Sequence, residues 1–352
     1  MNHTMQDILL EPRAREILKH IISSYILTGE PIGSRTIAKI SREGLSSASV
    51  RNVMADLEEH GYLSQPHASA GRVPTDKGYR YYVDALLPDV VVGSRERAFI
   101  DQNLGRAGGE LSAAMEAIPK LLAHLTSQVG YLLSPPISDV RLKHIEFLKL
   151  HERRVLVIFV DRTEIVSHRV LDMDQDFEQS DLDRAGRYLV GEFSGLSLNE
   201  IRESLVRLMA EEKATVDRII ANAIKLGTSY LDSESDERRM LLDGTTNIMN
   251  HPELSDTDTV RRLFQTFEEK HHLVKLLDQC LDPNRPRVLI GSENTDPALG
   301  GLSLVASPYR HADGATGWLG VLGPTRMEYD RALALVVYIS RLFSTLLTHR
   351  NA

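Results

Sequence analysis

The chain of 352 residues carries 41 basic and 49 acidic side chains, and this net charge of −8 is not that of a strongly basic nucleic-acid binder. A hydrophobic share of 42% predicts a soluble globular protein, and no apolar run approaches the roughly twenty residues needed to span a bilayer. The single Cys280 excludes an internal disulfide, and residues 1–10 lack the basic start and long apolar segment of a secretory signal, so we expect a cytoplasmic protein with no membrane partner.

Three consecutive helical patterns come first along the chain. One runs over residues 12–28, and a brief second one begins at Ser34. The third lies within residues 45–63, where Ser46 is placed to cap the helix start and Gly61 to end it. Its apolar residues recur at the spacing of one buried stripe: Val50, Val53, Met54 and Leu57. Helices in this order predict a helix-turn-helix.

The outward face of the third helix has a composition suited to DNA. Its first two turns carry small residues with one arginine and one asparagine, whereas acidic residues crowd its far end. Arginine pairs with guanine or phosphate, asparagine with adenine, and a small side chain contacts the thymine methyl group. A solvated helix is the alternative, and this segment alone favours neither. The DNA-binding residues predicted here are Ser47, Ala48, Ser49, Arg51 and Asn52.

A short hairpin is predicted over residues 65–74, where Ser, Gly and Pro lie between short apolar pairs. Such a hairpin after a helix-turn-helix is a wing. Near its tip, His67 and Arg72 are predicted to reach phosphate or the minor groove. Thr75 is expected to cap a closing helix that completes a winged helix of about ninety residues.

Charge in this first domain is balanced, because residues 1–87 hold ten basic and ten acidic side chains. DNA binding therefore requires local placement of the basic side chains on one face. We expect these to be Arg35, Lys39, Arg42, Arg51, Arg72, Lys77 and Arg80. Of the residues outside the third helix and the wing, Arg35 is the one assigned to DNA. We predict modest non-specific affinity, dependence on two half-sites, and marked salt sensitivity.

The rest of the chain predicts an α+β domain with an insertion, since strands are followed by a helical interlude and then by strands again. A linker is expected at residues 88–93 and a helical region up to residue 125. An antiparallel meander follows over residues 145–171, then helices within 182–231 and a short strand at 240–243. The later elements are a helix over 259–280, strands at 288–291, 302–307 and 318–322, and a final helix over 327–348.

No catalytic or metal-binding constellation is recognisable. His271 and His272 lack a cysteine or carboxylate at metal-ligand spacing, no phosphate-binding glycine loop precedes a helix, and Cys280 lacks a triad context. We therefore predict no enzyme activity, cofactor or metal. Two alternatives remain open: a metabolite-responsive regulator whose α+β body binds a small ligand, and an enzyme whose winged helix only contacts protein.

Three segments also resemble a known family. Residues 45–63, residues 65–84 and the stretch Gly323-Pro324-Thr325-Arg326-Met327-Glu328-Tyr329 are similar to the bacterial heat-inducible transcription repressor family HrcA. The resemblance extends over nearly the whole chain and is weaker from about residue 194 to 259. Its distal segment has a simpler structural interpretation as well, in which Thr325 caps the final helix.

The resemblance implies a multidomain α+β fold. Its domains would be a winged helix (residues 1–88), a GAF-like domain in two parts (94–193 and 261–350) and a dimerising domain (194–260) inserted between those parts. It also implies a homodimer that represses class I heat-shock (chaperone) operons by binding the CIRCE inverted repeat in double-stranded DNA. The chaperonin GroEL would modulate its activity.

Overall fold

The computed structural model describes most of the chain. The described residues are 10–40, 45–87, 91–107, 111–136, 139–151, 153–162, 165–210, 218–233, 238–251, 284–294, 301–311 and 314–349, with Arg261, Phe267, Val274, Asp282 and Leu299. Within the helix predicted over 259–280, Arg261, Phe267 and Val274 are helical. His271, His272 and Cys280 lie outside the described residues, as does Arg42.

The N-terminal part is a winged helix. Its elements are α1 (Pro12–Thr28), α2 (Ser34–Ile40), α3 (Ser47–Glu59), β1 (Leu63–Ser64), β2 (Val73–Pro74) and α4 (Asp76–Tyr81), which continues as a π-helical turn (Tyr82–Leu86). Strands β1 and β2 pair antiparallel, and a bridge between Ile32 and Arg72 adds a third strand segment to the wing. Buried residues of α1, α2 and α3 meet in one core that includes Ile21, Ile37 and Met54.

Both ends of α3 follow from residues that the sequence singled out. The Ser49 amide donates to the Ser46 hydroxyl at 3.1 Å, so Ser46 is the N-cap. At the other end Gly61 has φ of +78°, a left-handed conformation that glycine adopts without steric cost. The Gly61 amide donates to the Glu58 carbonyl at 2.9 Å and the Tyr62 amide to the Leu57 carbonyl at 2.9 Å. This pair of bonds is the Schellman motif, and it turns the chain from α3 into the wing.

A five-stranded antiparallel sheet forms the centre of the body. Its strands, in spatial order, are β7 (Met240–Asp243), β3 (Val129–Leu133), β10 (Thr316–Pro324), β9 (Leu302–Arg310) and β8 (Arg287–Ile290). One face is buried by α5 (Ser94–Ala107), α6 (Leu111–Thr126) and the last helix, α10 (Tyr329–His349), in the same core that holds the winged helix. Ile248, Phe267 and Val274 pack against the opposite face.

A second unit lies between β3 and β7, which are neighbours in the five-stranded sheet. It holds a three-stranded meander, β4 (Leu142–Lys149), β5 (Arg154–Asp161) and β6 (Val166–Asp172), and helices α7 (Gln179–Phe193), α8 (Leu198–Ala210) and α9 (Arg218–Ser233). These elements share a hydrophobic core of their own. The sequence grouped the meander with the body, and its boundary at residue 194 falls between α7 and α8 of this packed unit. Alternating apolar residues reveal a strand but not the sheet that it joins.

Helix α10 differs from expectation at its start and in its composition. It begins at Tyr329, and Thr325 does not cap it: the Thr325 carbonyl accepts from the Tyr329 hydroxyl at 2.6 Å. By length and composition, Tyr329–Thr348 could cross a membrane, although the sequence predicted no such segment. Leu335, Ile339 and Phe343 are nevertheless buried in the core beside the sheet, as in the core helix of a folded domain. The predicted fold class, a multidomain α+β protein with a winged helix, is confirmed.

Candidate nucleic-acid interface

The face of α3 that carries the predicted base-reading residues is open. Val50, Met54 and Leu57 are buried on the inner side, whereas Ala48, Arg51 and Asn52 are exposed. Towards the C-terminal end the exposed positions are Ala55, Asp56 and Glu59. The open face therefore changes from small, cationic and amide side chains in its first turns to acidic ones at its end, as the sequence predicts.

The two serines at the start of α3 are held by hydrogen bonds. The hydroxyl oxygens of Ser47 and Ser34 lie 3.1 Å apart and join α2 to α3, and the Ser46 hydroxyl donates to the Ser49 hydroxyl at 3.1 Å. Both Ser47 and Ser49 are half-buried. Their hydroxyls thus fix the angle between the two helices and the first turn of α3. Arg35, also predicted to contact DNA, is exposed on α2 together with Lys39.

The wing is stiffened from within by one side chain. Gln65 donates from Nε2 to the carbonyls of Ala68, at 3.0 Å, and Ala70, at 2.9 Å. These bonds hold the loop between β1 and β2, where residues 66–69 are all exposed. The predicted contact residue His67 lies in this loop. The wing therefore holds the exposed His67 in a loop that is fixed by the two hydrogen bonds of Gln65.

Arg72 lies at the base of the wing rather than near its tip. Its backbone pairs with Ile32 in both directions at 2.9 Å, and its Nη2 lies 2.7 Å from Oε2 of Glu58 near the end of α3. The Arg72 side chain is only 18% exposed. In this arrangement the guanidinium ties the wing to α3 and is not directed to open solvent.

Two further cations of the expected basic face have protein partners. Lys77 lies over the Tyr62 ring, 4.5 Å from its centroid, and donates to the His60 carbonyl at 2.8 Å. Arg80 faces the body, where its Nε donates to Oε1 of Glu293 at 2.7 Å and its Nη2 to the Val288 carbonyl at 2.6 Å. The prediction that Arg80 belongs to a DNA-facing surface is therefore wrong, because its guanidinium is committed to β8 and the turn that follows it.

A docking interface between the winged helix and the body was missed by the sequence analysis. Asp76 at the start of α4 accepts from the Ser292 amide at 2.8 Å, and Arg326 donates from Nη1 to the Ile26 carbonyl of α1 at 2.8 Å. The rings of Tyr79 and Tyr329 lie 5.8 Å apart, with both side chains buried. Arg326 and Tyr329 belong to the distal segment noted in the sequence, which here joins the body to the DNA-binding domain.

Burial also affects the chemistry of this interface. It raises the pKa of Tyr329, so the phenol stays protonated and donates to the Thr325 carbonyl. The Ser303 hydroxyl oxygen lies 2.8 Å from the phenol oxygen of Tyr329. Among the described residues, no group of three or more His, Cys, Asp or Glu side chains is placed to hold a metal ion.

Comparison with known proteins adds a family relationship to this geometry. Residues 112–333 match the family model described as the HrcA protein C terminal domain. The heat-inducible transcription repressor HrcA of Geobacter sulfurreducens is 40% identical, with 96% of this chain and 98% of that protein covered. The protein of the same name from Syntrophobacter fumaroxidans is 35% identical, with coverage of 96% and 97%.

One crystal structure shares the fold. It is of a hypothetical protein, and it aligns with a TM-score of 0.59 at 21% identity over 97% of this chain and 100% of that chain. At this identity the likeness concerns the fold alone. The family relationship rests instead on the two full-length relatives and on the C-terminal domain.

Proposed function

Because this chain belongs to the HrcA family of heat-inducible transcription repressors, we propose that it represses class I heat-shock (chaperone) operons by binding the CIRCE inverted repeat as a homodimer. The observation that carries the proposal is the open face of α3, where Ala48, Arg51 and Asn52 are exposed on a helix fixed at both ends. The names of the relatives favour this function over a metabolite-responsive regulator and over an enzyme. The protein then acts in the cytoplasm and needs no catalytic activity.

In the proposed complex, the first turns of α3 enter the major groove. Arg51 and Asn52 contact base edges, and Ala48 contacts a thymine methyl group. Ser47 and Ser49 lie beside the sugar-phosphate backbone of the DNA, and Arg35 of α2 neutralises a phosphate. His67 of the wing enters the adjacent minor groove.

Arg72 is also proposed to contact a phosphate. Its guanidinium has to leave Glu58 in order to do so, because the two groups lie 2.7 Å apart in the unbound protein. A phosphate accepts the same charge-assisted hydrogen bonds as a carboxylate, so this exchange of partners replaces one ionic contact by another. The wing would thereby be released from α3 as it meets the DNA backbone.

Dimerisation is proposed to use the outer face of the three-stranded sheet, and the inserted unit is proposed to extend over residues 141–233. On that face Leu156 lies between Leu148 and Val170, and Val160 lies beside Val166. Val166 and Val170, which lie on either side of His168 along β6, are 59% and 46% exposed. A second copy of the same face, related by a twofold axis, would bury both.

Heat response is proposed to follow from loss of this dimer geometry. In a body of marginal stability, the less protected parts unfold at a lower temperature than the most protected elements. A chain that has opened in this way and cannot refold alone depends on a chaperone. GroEL is the proposed modulator in this scheme. Protein that is heated and recooled without GroEL should lose operator binding and regain it when GroEL is supplied; full binding without GroEL would contradict the scheme.

DNA recognition is tested by alanine substitution at Arg51 and at Asn52. Operator affinity is measured by fluorescence anisotropy on DNA with the inverted repeat and on a scrambled duplex. Each substitution should weaken operator binding by about 1–3 kcal/mol, roughly five- to 150-fold, while binding to scrambled DNA changes little. Arg341→Ala, which removes an exposed arginine from α10, is the matched control. Unchanged operator affinity in both α3 variants would refute the proposal.

A further inference from the structure

The outer face of the three-stranded sheet is polar at two positions that lie symmetrically about its centre. In the register of the sheet, Ile158 of β5 lies between Glu146 of β4 and His168 of β6. Glu146 and His168 are exposed, whereas Ile158 is half-buried. Because neighbouring strands are about 4.8 Å apart, the two polar side chains lie about 5 Å on either side of β5.

The two rows that flank this central row are mainly apolar. In the order β4, β5, β6, their residues are His144, Val160 and Val166 on one side and Leu148, Leu156 and Val170 on the other. Beyond the second of these rows, Arg154 and Asp172 lie opposite each other at the end of the sheet. Beyond the first, Lys143 lies in a bulge of β4 beside His144. Glu146 and His168 are therefore the titratable groups nearest to the centre of the face.

Two copies of this face can meet in two aligned ways about a twofold axis that lies between them. An axis across the strands sets each residue of the central row opposite its own counterpart, so Glu146 meets Glu146 and His168 meets His168. An axis along β5 exchanges the two edges of the face, so Glu146 of one copy meets His168 of the other. Sheets that pack face to face keep their strands aligned to within about 30°, and both arrangements satisfy this condition.

Charge favours the second arrangement. Two carboxylates that face each other in an interface repel, whereas a carboxylate and an imidazolium attract each other and form a hydrogen bond. An axis along β5 also matches the apolar residues, because Leu148 then meets Val170 of the second copy. The residues that lie on the axis itself are apolar: Leu156, Ile158 and Val160. The face is thus complementary to itself in one orientation and repels itself in the other, which is how an interface selects one partner geometry.

We propose that the twofold axis of the dimer runs along β5, so that Glu146 of each copy pairs with His168 of the other. This pairing rests on the dimer face proposed above, and it adds to that face the orientation of the two copies and a dependence on pH. Histidine gains its positive charge as the pH falls from about 8 to about 6, so mild acidification strengthens both pairs of the dimer at once. A tighter dimer in turn holds two winged helices together at lower protein concentration.

Sedimentation equilibrium of the full-length chain, at pH of about 8 and of about 6, measures the dissociation constant of the dimer. This constant should be about tenfold lower at the lower pH, because each dimer contains two pairs and each ion pair of partial exposure contributes about threefold. Glu146→Gln should weaken the dimer about tenfold at the lower pH and remove most of the pH dependence. Glu203→Gln, the same change at an exposed position of α8, is the matched control and should behave like the unaltered chain.

An exchange of charges distinguishes this orientation from the other. Glu146→Lys sets two cations opposite each other at the lower pH and should weaken the dimer, whereas Glu146→Lys combined with His168→Glu should restore it, because opposite charges meet again. Both residues are exposed, so these variants should fold normally.

A dimer that Glu146→Gln tightens or leaves unchanged would overturn the proposed pairing. A double variant that dimerises no more tightly than Glu146→Lys alone would overturn it as well. Failure of the dimer face itself gives a different result: an unaltered chain that is monomeric, or a dimer that persists in Ile158→Asp, would overturn the face and the pairing together. If only the pairing fails, the unaltered chain still dimerises and Ile158→Asp still gives monomers.

Discussion

The ion pair between Glu58 and Arg72 provides the sharpest test of how the wing meets DNA. With the two side chains 34% and 18% exposed and an N–O distance of 2.7 Å, the pair lies between a surface salt bridge and a buried one. We assign the pair about 1 kcal/mol, the upper end of the range for exposed ion pairs. If Arg72 must leave Glu58 to reach a phosphate, this free energy opposes DNA binding.

Glu58→Gln should therefore tighten operator binding by about three- to tenfold, since it weakens the competing partner of Arg72 and removes a negative charge near the DNA. Arg72→Gln should weaken binding to operator and scrambled DNA alike. It should also reduce the slope of the logarithm of the binding constant against the logarithm of the salt concentration by about one, because one phosphate contact is lost. Both affinities are measured by fluorescence anisotropy over a range of salt concentrations. The unfolding free energy of each variant should fall by about 1 kcal/mol.

Glu59→Gln is the matched control, because Glu59 carries the same charge one residue further along α3 and is exposed. Glu59→Gln should reproduce the gain in operator affinity that comes from removing a negative charge, but not the further gain in affinity that comes from releasing Arg72. In the Arg72→Gln background, Glu58→Gln should behave like Glu59→Gln. Equal effects of the two glutamate substitutions in the unaltered background would refute the idea that Glu58 competes with phosphate for Arg72.

Three further predictions concern docking, dimerisation and pH. Arg80→Met leaves the half-buried Glu293 with the Ile290 amide but without its cationic partner, and should lower the unfolding free energy by about 2–3 kcal/mol, measured by denaturant titration. Ile158→Asp places a charge on the outer face of the three-stranded sheet and should give monomers in sedimentation velocity, whereas Val206→Asp on α8 should not. Burial raises the pKa of Tyr329, so the contribution of this phenol to stability is full below pH of about 10 and is lost as the pH rises further; Tyr329→Phe should reduce, without abolishing, the alkaline loss of unfolding free energy, because burial also raises the pKa of Tyr131 and Tyr309.

Local features were predictable from the sequence because their causes are local. Ser46 caps α3 and Thr75 caps α4, where the Gly78 amide donates to the Thr75 hydroxyl at 3.1 Å. Gly61 ends α3 in the left-handed conformation. In each case the residue type and its distance from the apolar stripe determine the backbone geometry, so three or four neighbouring residues contain the information.

Long-range partners were not predictable in this way. Helical spacing places Arg80 on a face of α4, but only the folded chain brings Glu293 opposite that face, 213 residues away. The same limit applies to the three-stranded meander, whose alternation identifies strands without identifying their sheet. For Arg72, proximity to the wing tip in sequence suggested exposure, whereas the bridge to Ile32 draws this residue to the base of the wing.

Three cations of the expected basic face have partners within the protein. Arg80 is committed to the body, Lys77 to the turn after α3, and Arg72 to Glu58 in the unbound state. Each winged helix then offers few phosphate contacts, so a single domain should bind weakly and non-specific affinity should be modest. Two domains held at a fixed separation gain affinity by effective concentration without any new contact. In the proposed repressor, whatever disturbs the dimer or the docking of the winged helix therefore removes most of the operator affinity at once, while α3 itself stays folded.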